Sequence, residues 1–300
     1  MNQKNQSIFI SGTQIRIHPS FSSDRGTFAS RLGLSKHMNQ EQANAAAKLL
    51  KKDFAQELAV RIIEECPDAE ERSEQLFRYA IHLAEKGETT GAQAVLAQLE
   101  SGAKTSLSHF YADFVRGILK EAAGDATGAL SVLLEVERAM SKSAVPRCDR
   151  TVDFARELCT RIGMVSLELR EPRNALERLT KVPETPFVSY LIGTCYFDLT
   201  RYEIAIDYLA RALYSAMDDR TRLLALYQLG VAEYRRGRYT EALRHLSRCT
   251  TLLGCGSLPS GLVYEAIVAS ANRAGDYETV AQYTPLLAMH VTGFTDFNTR

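Results

Sequence analysis

Residues whose side chains could catalyse a reaction or bind a metal are few and scattered in this sequence. None of its six histidines lies in a His-Glu-x-x-His pattern or at another metal-ligand spacing. Ser101 and Lys104 have the Ser-x-x-Lys spacing of one class of acyl-transfer enzyme, but the companion motifs of that class are missing. These residues predict a protein that is not an enzyme and that holds neither a metal nor a cofactor.

A glycine-rich segment and the cysteines are the other candidates for chemistry in the sequence. Residues 254–261 read GCGSLPSG, and such loops can point backbone amides at a phosphate. This segment follows a helical pattern, however, and lacks the Lys-Ser/Thr ending of a phosphate-binding loop. The six cysteines contain no Cys-x-x-Cys motif. Cys249 and Cys255 could form a redox pair, but two small packing residues in a reducing compartment are the simpler interpretation.

The segments that would position functional residues repeat along the chain. Residues 193–213 match the stretch that begins at Gly230 position for position, so that Tyr202 aligns with Tyr239 and Leu209 with Leu246. Weaker copies surround further turn-like positions. The six turn positions, separated by 30 to 46 residues, are 87, 124, 170, 200, 237 and 275. This period is typical of two-helix repeats.

Both halves of each repeat have the apolar spacing of an amphipathic helix. The central residue, Gly237 in the strongest copy, is expected to end the first helix in a left-handed backbone conformation. Gly230 and Ala242 have a different reason to be small, because a large side chain at either would hold two crossing helices apart.

These residues resemble the tetratricopeptide repeat (TPR) family, whose signature pairs Leu-Gly in the first helix with Gly-x-Tyr-x-x-Ala across the turn. Leu229-Gly230 and Gly237-x-Tyr239-x-x-Ala242 carry this resemblance, which covers roughly residues 72–290. The departures from the family pattern are Arg170, Thr200, Glu233, Cys249 and Val280. The resemblance implies an all-α fold, a right-handed superhelical solenoid of antiparallel helix pairs.

Three regions are predicted along the chain: a basic arm over residues 1–40, a TPR-like solenoid over 41–290 with its strongest repeats at about 186–250, and a tail over 291–300. The arm carries five basic residues against one acid and contains SIFISGTQIRI, two β-patterned runs around a Ser-Gly-Thr turn. It is interpreted either as an organelle transit segment or as a partly extended arm that packs on the first helices or on a partner. The expected location is therefore the cytoplasm, with an organelle matrix as the alternative.

The charge pattern limits the classes of partner. Charged residues make up 24% of the chain and balance to a formal net charge of zero, which disfavours a nucleic-acid-binding role. No apolar stretch is long enough to insert into a membrane. Nine arginines against six acids between residues 200 and 250 suggest a patch for an acidic partner, unless neighbouring acids pair with them. The candidate patch residues are Arg201, Arg236, Arg238 and Arg244.

The resemblance also implies a binding surface, because the first helices of successive TPR repeats line a concave groove. The residues that it places there are Tyr111, Phe114, Phe187, Tyr190, Phe197, Tyr227, Tyr234 and Arg235. Repeats that grip the acidic tails of heat-shock chaperones use lysine, asparagine and arginine in the groove, so this aromatic set argues against a carboxylate clamp. The same aromatics could instead pack within the protein.

The sequence therefore predicts a scaffold or adaptor within a multi-subunit complex, whose groove binds a helix or extended segment of a protein partner. The alternative is an RNA-associated helical repeat protein that uses the arginine-rich region 200–250.

Overall fold

The structure is a computed structural model that describes residues 7–10, 13–16, 55–60, 62–64, 66, 68–102, 106–143, 147–215, 217–255 and 258–290. Two strands, β1 (Ser7–Ile10) and β2 (Thr13–Arg16), pair antiparallel near the start of the chain. They confirm the two β-patterned runs. The rest of the predicted arm and the 291–300 tail lie outside the described residues. The chain divides into two compact units, unit 1 (Met1–Val152) and unit 2 (Asp153–Arg300).

Unit 1 is built from helices that fold back on one another through short turns. Residues 55–60 and 62–64 are helical, and Ala55 lies against Gly91 of the helix pair that follows. Neighbouring helices pack along the chain, and β1 contacts the first of them. The helices are α1 (Ala69–Glu85), α2 (Thr89–Gly102), α3 (Ser106–Ala122) and α4 (Ala126–Lys142).

Unit 2 continues the same pattern of paired helices. A short 3-10 helix (Thr250–Cys255), which was not predicted, directly follows the α-helix Tyr239–Cys249. The α-helices are α5 (Asp149–Glu168), which begins just before the unit boundary, α6 (Pro172–Leu179), α7 (Pro186–Asp198), α8 (Tyr202–Leu213), α9 (Asp219–Arg235), α10 (Tyr239–Cys249), α11 (Ser260–Ala274) and α12 (Tyr277–His290). The all-α, helix-pair prediction is confirmed.

All six predicted turn positions have a left-handed backbone. Four are glycines with φ between 75° and 82°, whereas Arg170 (φ 61°) and Thr200 (φ 58°) adopt the same conformation despite their side chains. In the turn after α9, the N–H of Gly237 donates to the carbonyl of Tyr234 and the N–H of Arg238 donates to that of Glu233. These two bonds cap the carbonyl end of the helix. The turn geometry therefore fixes the two-helix repeat even where glycine is missing.

Close helix crossings explain the small residues of the pattern. A Cβ atom at Gly230 would lie 2.5 Å from Cγ of Leu246, so any side chain there would collide with α10. The same close approach recurs in four helix pairs of the described residues, in each of which the leucine follows the glycine by sixteen positions; the repeat alignment of the sequence includes two of them. The pairs are Gly117–Leu133, Gly163–Leu179, Gly193–Leu209 and Gly230–Leu246.

Candidate partner-binding groove

Two helices of unit 2, α7 and α9, carry most of the predicted groove, and side-chain caps fix where each begins. Before α7, the hydroxyl of Thr185 accepts a hydrogen bond from the N–H of Val188 (3.2 Å). Before α9, the carboxylate of Asp218 accepts one from the N–H of Thr221 (2.9 Å). The two helices pack against each other directly. The residues at which α7 and α9 begin determine which of their side chains lie on the same face of each helix.

The predicted groove aromatics recur at intervals of three or seven positions, which places them along one face of each helix, whereas Arg235 directly follows Tyr234. On α7 and α9 these residues are Phe187, Tyr190 and Phe197, followed by Tyr227, Tyr234 and Arg235.

A cross-helix hydrogen bond joins the two faces. The hydroxyl of Thr194 donates to Oε1 of Gln228 (2.9 Å) as well as to the carbonyl of Tyr190 (3.0 Å). Gln228 was not singled out in the sequence, because a partner 34 residues away leaves no local signal. The bond fixes the spacing between successive first helices of the stack.

The predicted groove rings are partly buried against the apolar core of unit 2. Phe187 is 37% exposed, and Tyr190, Phe197, Tyr227 and Tyr234 are each partly buried. Tyr190 packs on two apolar clusters of the stack, and so does Phe197. Burial raises the pKa of the Tyr227 hydroxyl to about 12. Packing on the core therefore fixes these rings in place before any partner arrives.

Two of the rings are braced by an aromatic residue across the turn. Phe197 meets Tyr202 edge-to-face with ring centroids 5.7 Å apart, and Tyr234 meets Tyr239 in the same way at 5.4 Å. The spacing of five residues is identical in the two strongest repeats. Each of these two repeats therefore holds one aromatic ring at the equivalent position near the end of its first helix.

The family comparison agrees with this repeated geometry. A tetratricopeptide repeat model matches residues 184–253, a span that contains α7 to α10 and hence both groove helices. Residues 184–253 are tetratricopeptide repeats. A search among curated proteins found no significant match.

Solved structures show the same TPR fold beyond this span. PilF from Pseudomonas aeruginosa is 15% identical, with a TM-score of 0.57 over 75% of this chain and 95% of its own. The apo form of RapI is 14% identical, with a TM-score of 0.56 over 84% of this chain and 73% of its own. Likeness at this level of identity establishes the fold and not the partner.

Two residues assigned to the groove lie elsewhere. In unit 1, Tyr111 is 2% exposed and Phe114 is completely buried. Phe77 of α1 stacks on the Tyr111 ring (4.3 Å between centroids) and meets Phe114 edge-to-face (5.4 Å). The prediction that these two rings offer a contact surface is therefore wrong for this structure. They pack between helices of unit 1, which was the alternative interpretation.

The arginine patch is largely neutralised by neighbouring acids. Arg236 pairs with Glu203 (3.4 Å), and Arg244 pairs with Glu241 (2.9 Å). Arg238 also has an acidic partner, and Arg201 is exposed without an ion pair among the described residues. Three of the four candidates thus have local partners, as the solvated-ridge interpretation expected.

Glu233, which departs from the TPR pattern, forms the Arg238 pair. Its side chain is buried and lies 3.3 Å from Nη1 of Arg238, the residue that precedes α10. Burial raises the pKa of the Glu233 carboxyl, while the charge of Arg238 opposes that shift. This half-buried ion pair links the end of α9 to the residue that precedes α10.

The chemical motifs weighed in the sequence have no assembled site in the described part of the chain. Cys249 is buried and Cys255 is exposed, and both are free thiols. Lys104 and part of the glycine-rich segment lie outside the described residues. Across the described ranges, no three His, Cys, Asp or Glu side chains come together as metal ligands. No helix in those ranges has both the length and the apolar character to cross a membrane.

Proposed function

We propose that this chain is a non-enzymatic scaffold that binds a protein partner through the groove of unit 2 and acts within a larger assembly. The observation that carries the proposal is the row of partly exposed aromatic rings on α7 and α9. The TPR repeats support a protein-binding role in general. We assign that role to the aromatic residues of α7 and α9.

The energetics favour an apolar contact. Aromatic anchors that become fully buried in a complex contribute about 2 kcal/mol each. Here the rings are already held by their bases and by edge-to-face neighbours, so little side-chain entropy is lost when a partner covers them. A helix with apolar residues on one face, or an extended apolar segment, matches such a surface.

The groove chemistry separates this protein from carboxylate-binding repeats. Where such a clamp needs cationic and amide side chains, Tyr190, Tyr227 and Val231 occupy the central positions of α7 and α9. An acidic peptide end would lose hydration against these three side chains without gaining charge-assisted hydrogen bonds from them. We therefore exclude acidic chaperone tails from the proposed partners.

Affinity purification from the native cell tests the proposal. Tagged protein is washed in parallel at low and high salt, and both eluates are analysed for protein and RNA. The groove variant Phe187→Ala/Tyr234→Ala is compared with Tyr277→Ala, which removes a ring that is 72% exposed outside the groove.

The scaffold account expects stoichiometric proteins that survive high salt, are lost from the groove variant and are retained by Tyr277→Ala. Apolar contacts are insensitive to screening, whereas phosphate contacts weaken steeply with salt. RNA that is present after the low-salt wash and lost after the high-salt wash, with no protein retained, would contradict the proposal. That result would favour an RNA-associated protein.

A further inference from the structure

Phe187, the most exposed ring of the groove, lies where α7 is held least by its own hydrogen bonds. It is the second residue of α7, and the N–H groups in the first turn of a helix have no partner within the helix. Its side chain is 37% exposed, and its ring centroid lies 6.3 Å from that of Tyr190. The position of the Phe187 ring therefore depends on the contacts that hold the first turn of α7 in place.

A carboxylate just before α7 closes this turn. Oε1 of Glu184 accepts a hydrogen bond from the hydroxyl of Ser189 (2.9 Å), whose side chain is buried. The bond joins residues five positions apart, and Phe187 lies between them. A second bond, from the N–H of Val188 to the hydroxyl of Thr185, caps the same turn. The two bonds together fix the backbone that carries the Phe187 ring.

Arg211, in the last turn of α8, contacts the same carboxylate. Its Nη1 lies 2.9 Å from Oε1 of Glu184 and 3.2 Å from Oε2. An exposed ion pair usually contributes little, because two long side chains have to be ordered to form it. Here the guanidinium already lies 4.1 Å from the centre of the Tyr208 ring, and that ring stacks on Tyr196 of α7 with centroids 5.7 Å apart. Packing on the Tyr208 ring therefore reduces the cost of ordering Arg211.

These contacts form a continuous path from α8 to the groove. The path leads from the guanidinium of Arg211 to the carboxylate of Glu184, and from there to the hydroxyl of Ser189 in the first turn of α7. We propose that Arg211 is a positioning residue of the groove, which acts along this path to order the turn that carries Phe187. The inference rests on the proposed function and adds to it a residue outside the predicted groove. A partner that covers a ring on an ordered turn loses less conformational entropy on binding.

A double-mutant cycle on the full chain tests this role. The probe is a linear peptide selected from a random phage library on the wild type, and it is used only if Phe187→Ala weakens its binding about tenfold or more. Calorimetry then measures its affinity for Arg211→Gln, for Glu184→Gln and for Arg211→Gln combined with Phe187→Ala. The control is Arg156→Gln on α5, which removes an arginine of equal exposure (49%) from a 2.9 Å ion pair with Asp153.

Arg211→Gln and Glu184→Gln should each weaken binding of the peptide about fivefold, because the first turn of α7 must then be ordered on binding. Arg156→Gln should leave the affinity unchanged. In the Phe187→Ala background, Arg211→Gln should have no further effect, since the ring that it positions is missing. An equal loss with and without the Phe187 ring, or an unchanged affinity of Arg211→Gln, would overturn the inference.

Hydrogen exchange measured by mass spectrometry supplies a readout that needs no partner. In Arg211→Gln, the amides of residues 187–191 should exchange faster than in the wild type, while those of α11 should exchange at the wild-type rate. Faster exchange throughout unit 2 would show that Arg211 serves the fold in general and would overturn the inference.

Failure of the proposed function has a different signature. If Phe187→Ala weakens none of the selected peptides, the groove itself is contradicted, and the inference falls with it. A peptide whose binding depends on Phe187 but not on Arg211 contradicts the inference alone and leaves the groove intact.

Discussion

Gly230 and Leu246 lie so close that a Cβ on the glycine would come within 2.5 Å of the leucine Cγ and within 3.3 Å of the carbonyl of Ala242. Neither neighbour is the free end of a flexible side chain, so α9 and α10 would have to separate. We expect Gly230→Ala to lower the free energy of unfolding by about 1–2 kcal/mol, the effect of overpacking less the gain in helix propensity. Urea denaturation measures the change.

The matched control is Gly254→Ala in the 3-10 helix, where an added Cβ would meet nothing within 4 Å. The midpoint of urea unfolding of Gly254→Ala should equal that of the wild type. Equal stability of the two variants would show that the crossing of α9 and α10 is looser than the structure indicates.

Thr200 is a position at which a substitution should stabilise the fold. It is exposed and holds φ 58°, a backbone conformation that a β-branched residue adopts at a cost. Thr200→Gly should raise the free energy of unfolding by about 1 kcal/mol, since the relieved strain outweighs the added freedom of the unfolded chain. Thermal denaturation is the measurement. The reverse change at the equivalent position, Gly237→Thr, should destabilise, and a stabilising effect there would contradict the turn geometry.

His245 should make stability depend on pH. It is buried on α10, its Nδ1 has no hydrogen-bond partner among the described residues, and burial with the neighbouring charges of Arg244 and Arg248 lowers its pKa from 6.5 to about 4. Glu241 opposes this shift only weakly. Between these pH values the unfolded chain binds a proton that the folded chain does not, so stability falls as the pH falls from 6.5 towards 4.

The test compares Tm across this pH window for the wild type and His245→Phe, with the exposed His109→Gln as control. Only His245→Phe should flatten the dependence, because other titrating groups are common to all three proteins. If the Tm of His245→Phe falls with pH as steeply as that of the wild type, His245 is not the cause of the pH dependence.

Much of the fold could be predicted because the repeat leaves local signals. Turn positions were found even where Arg170 and Thr200 replace glycine, since the surrounding pattern fixed the register and the backbone followed it. The crossings at Gly193 and Gly230 were identified from alignment alone. The equivalent role of Gly117 and Gly163 was missed, because their repeats are too divergent to align without the helices in place.

The site was less predictable, because it depends on contacts between repeats. Sequence position puts Tyr111 on the groove-facing side of its helix, but the Phe77 ring that stacks on it comes from the preceding repeat. Likewise, an excess of arginine is visible in the sequence, whereas the Arg236–Glu203 pair is visible only in the structure. Periodicity gives the direction of a side chain and not its neighbours.

Replacement of the two groove rings should separate binding from folding. Phe187 is the most exposed groove aromatic, and Tyr234 presents a partly exposed ring. Phe187→Ala/Tyr234→Ala should weaken partner binding at least tenfold, since each buried anchor contributes about 2 kcal/mol to a complex. Titration calorimetry with a purified partner measures the loss, and circular dichroism should show unchanged helical content. A variant that loses helicity would show that these rings serve the core.

Site-specific photo-crosslinking tests the central claim most directly. A photoreactive phenylalanine analogue is placed at Phe187 in the groove or at the exposed Tyr277 of α12, and each protein is irradiated in its native cell. We expect one set of proteins to crosslink to position 187 and not to position 277, with the crosslinks in an apolar helix or extended segment. No protein crosslinks at position 187, or the same proteins at both positions, would contradict a partner-binding groove on α7 and α9.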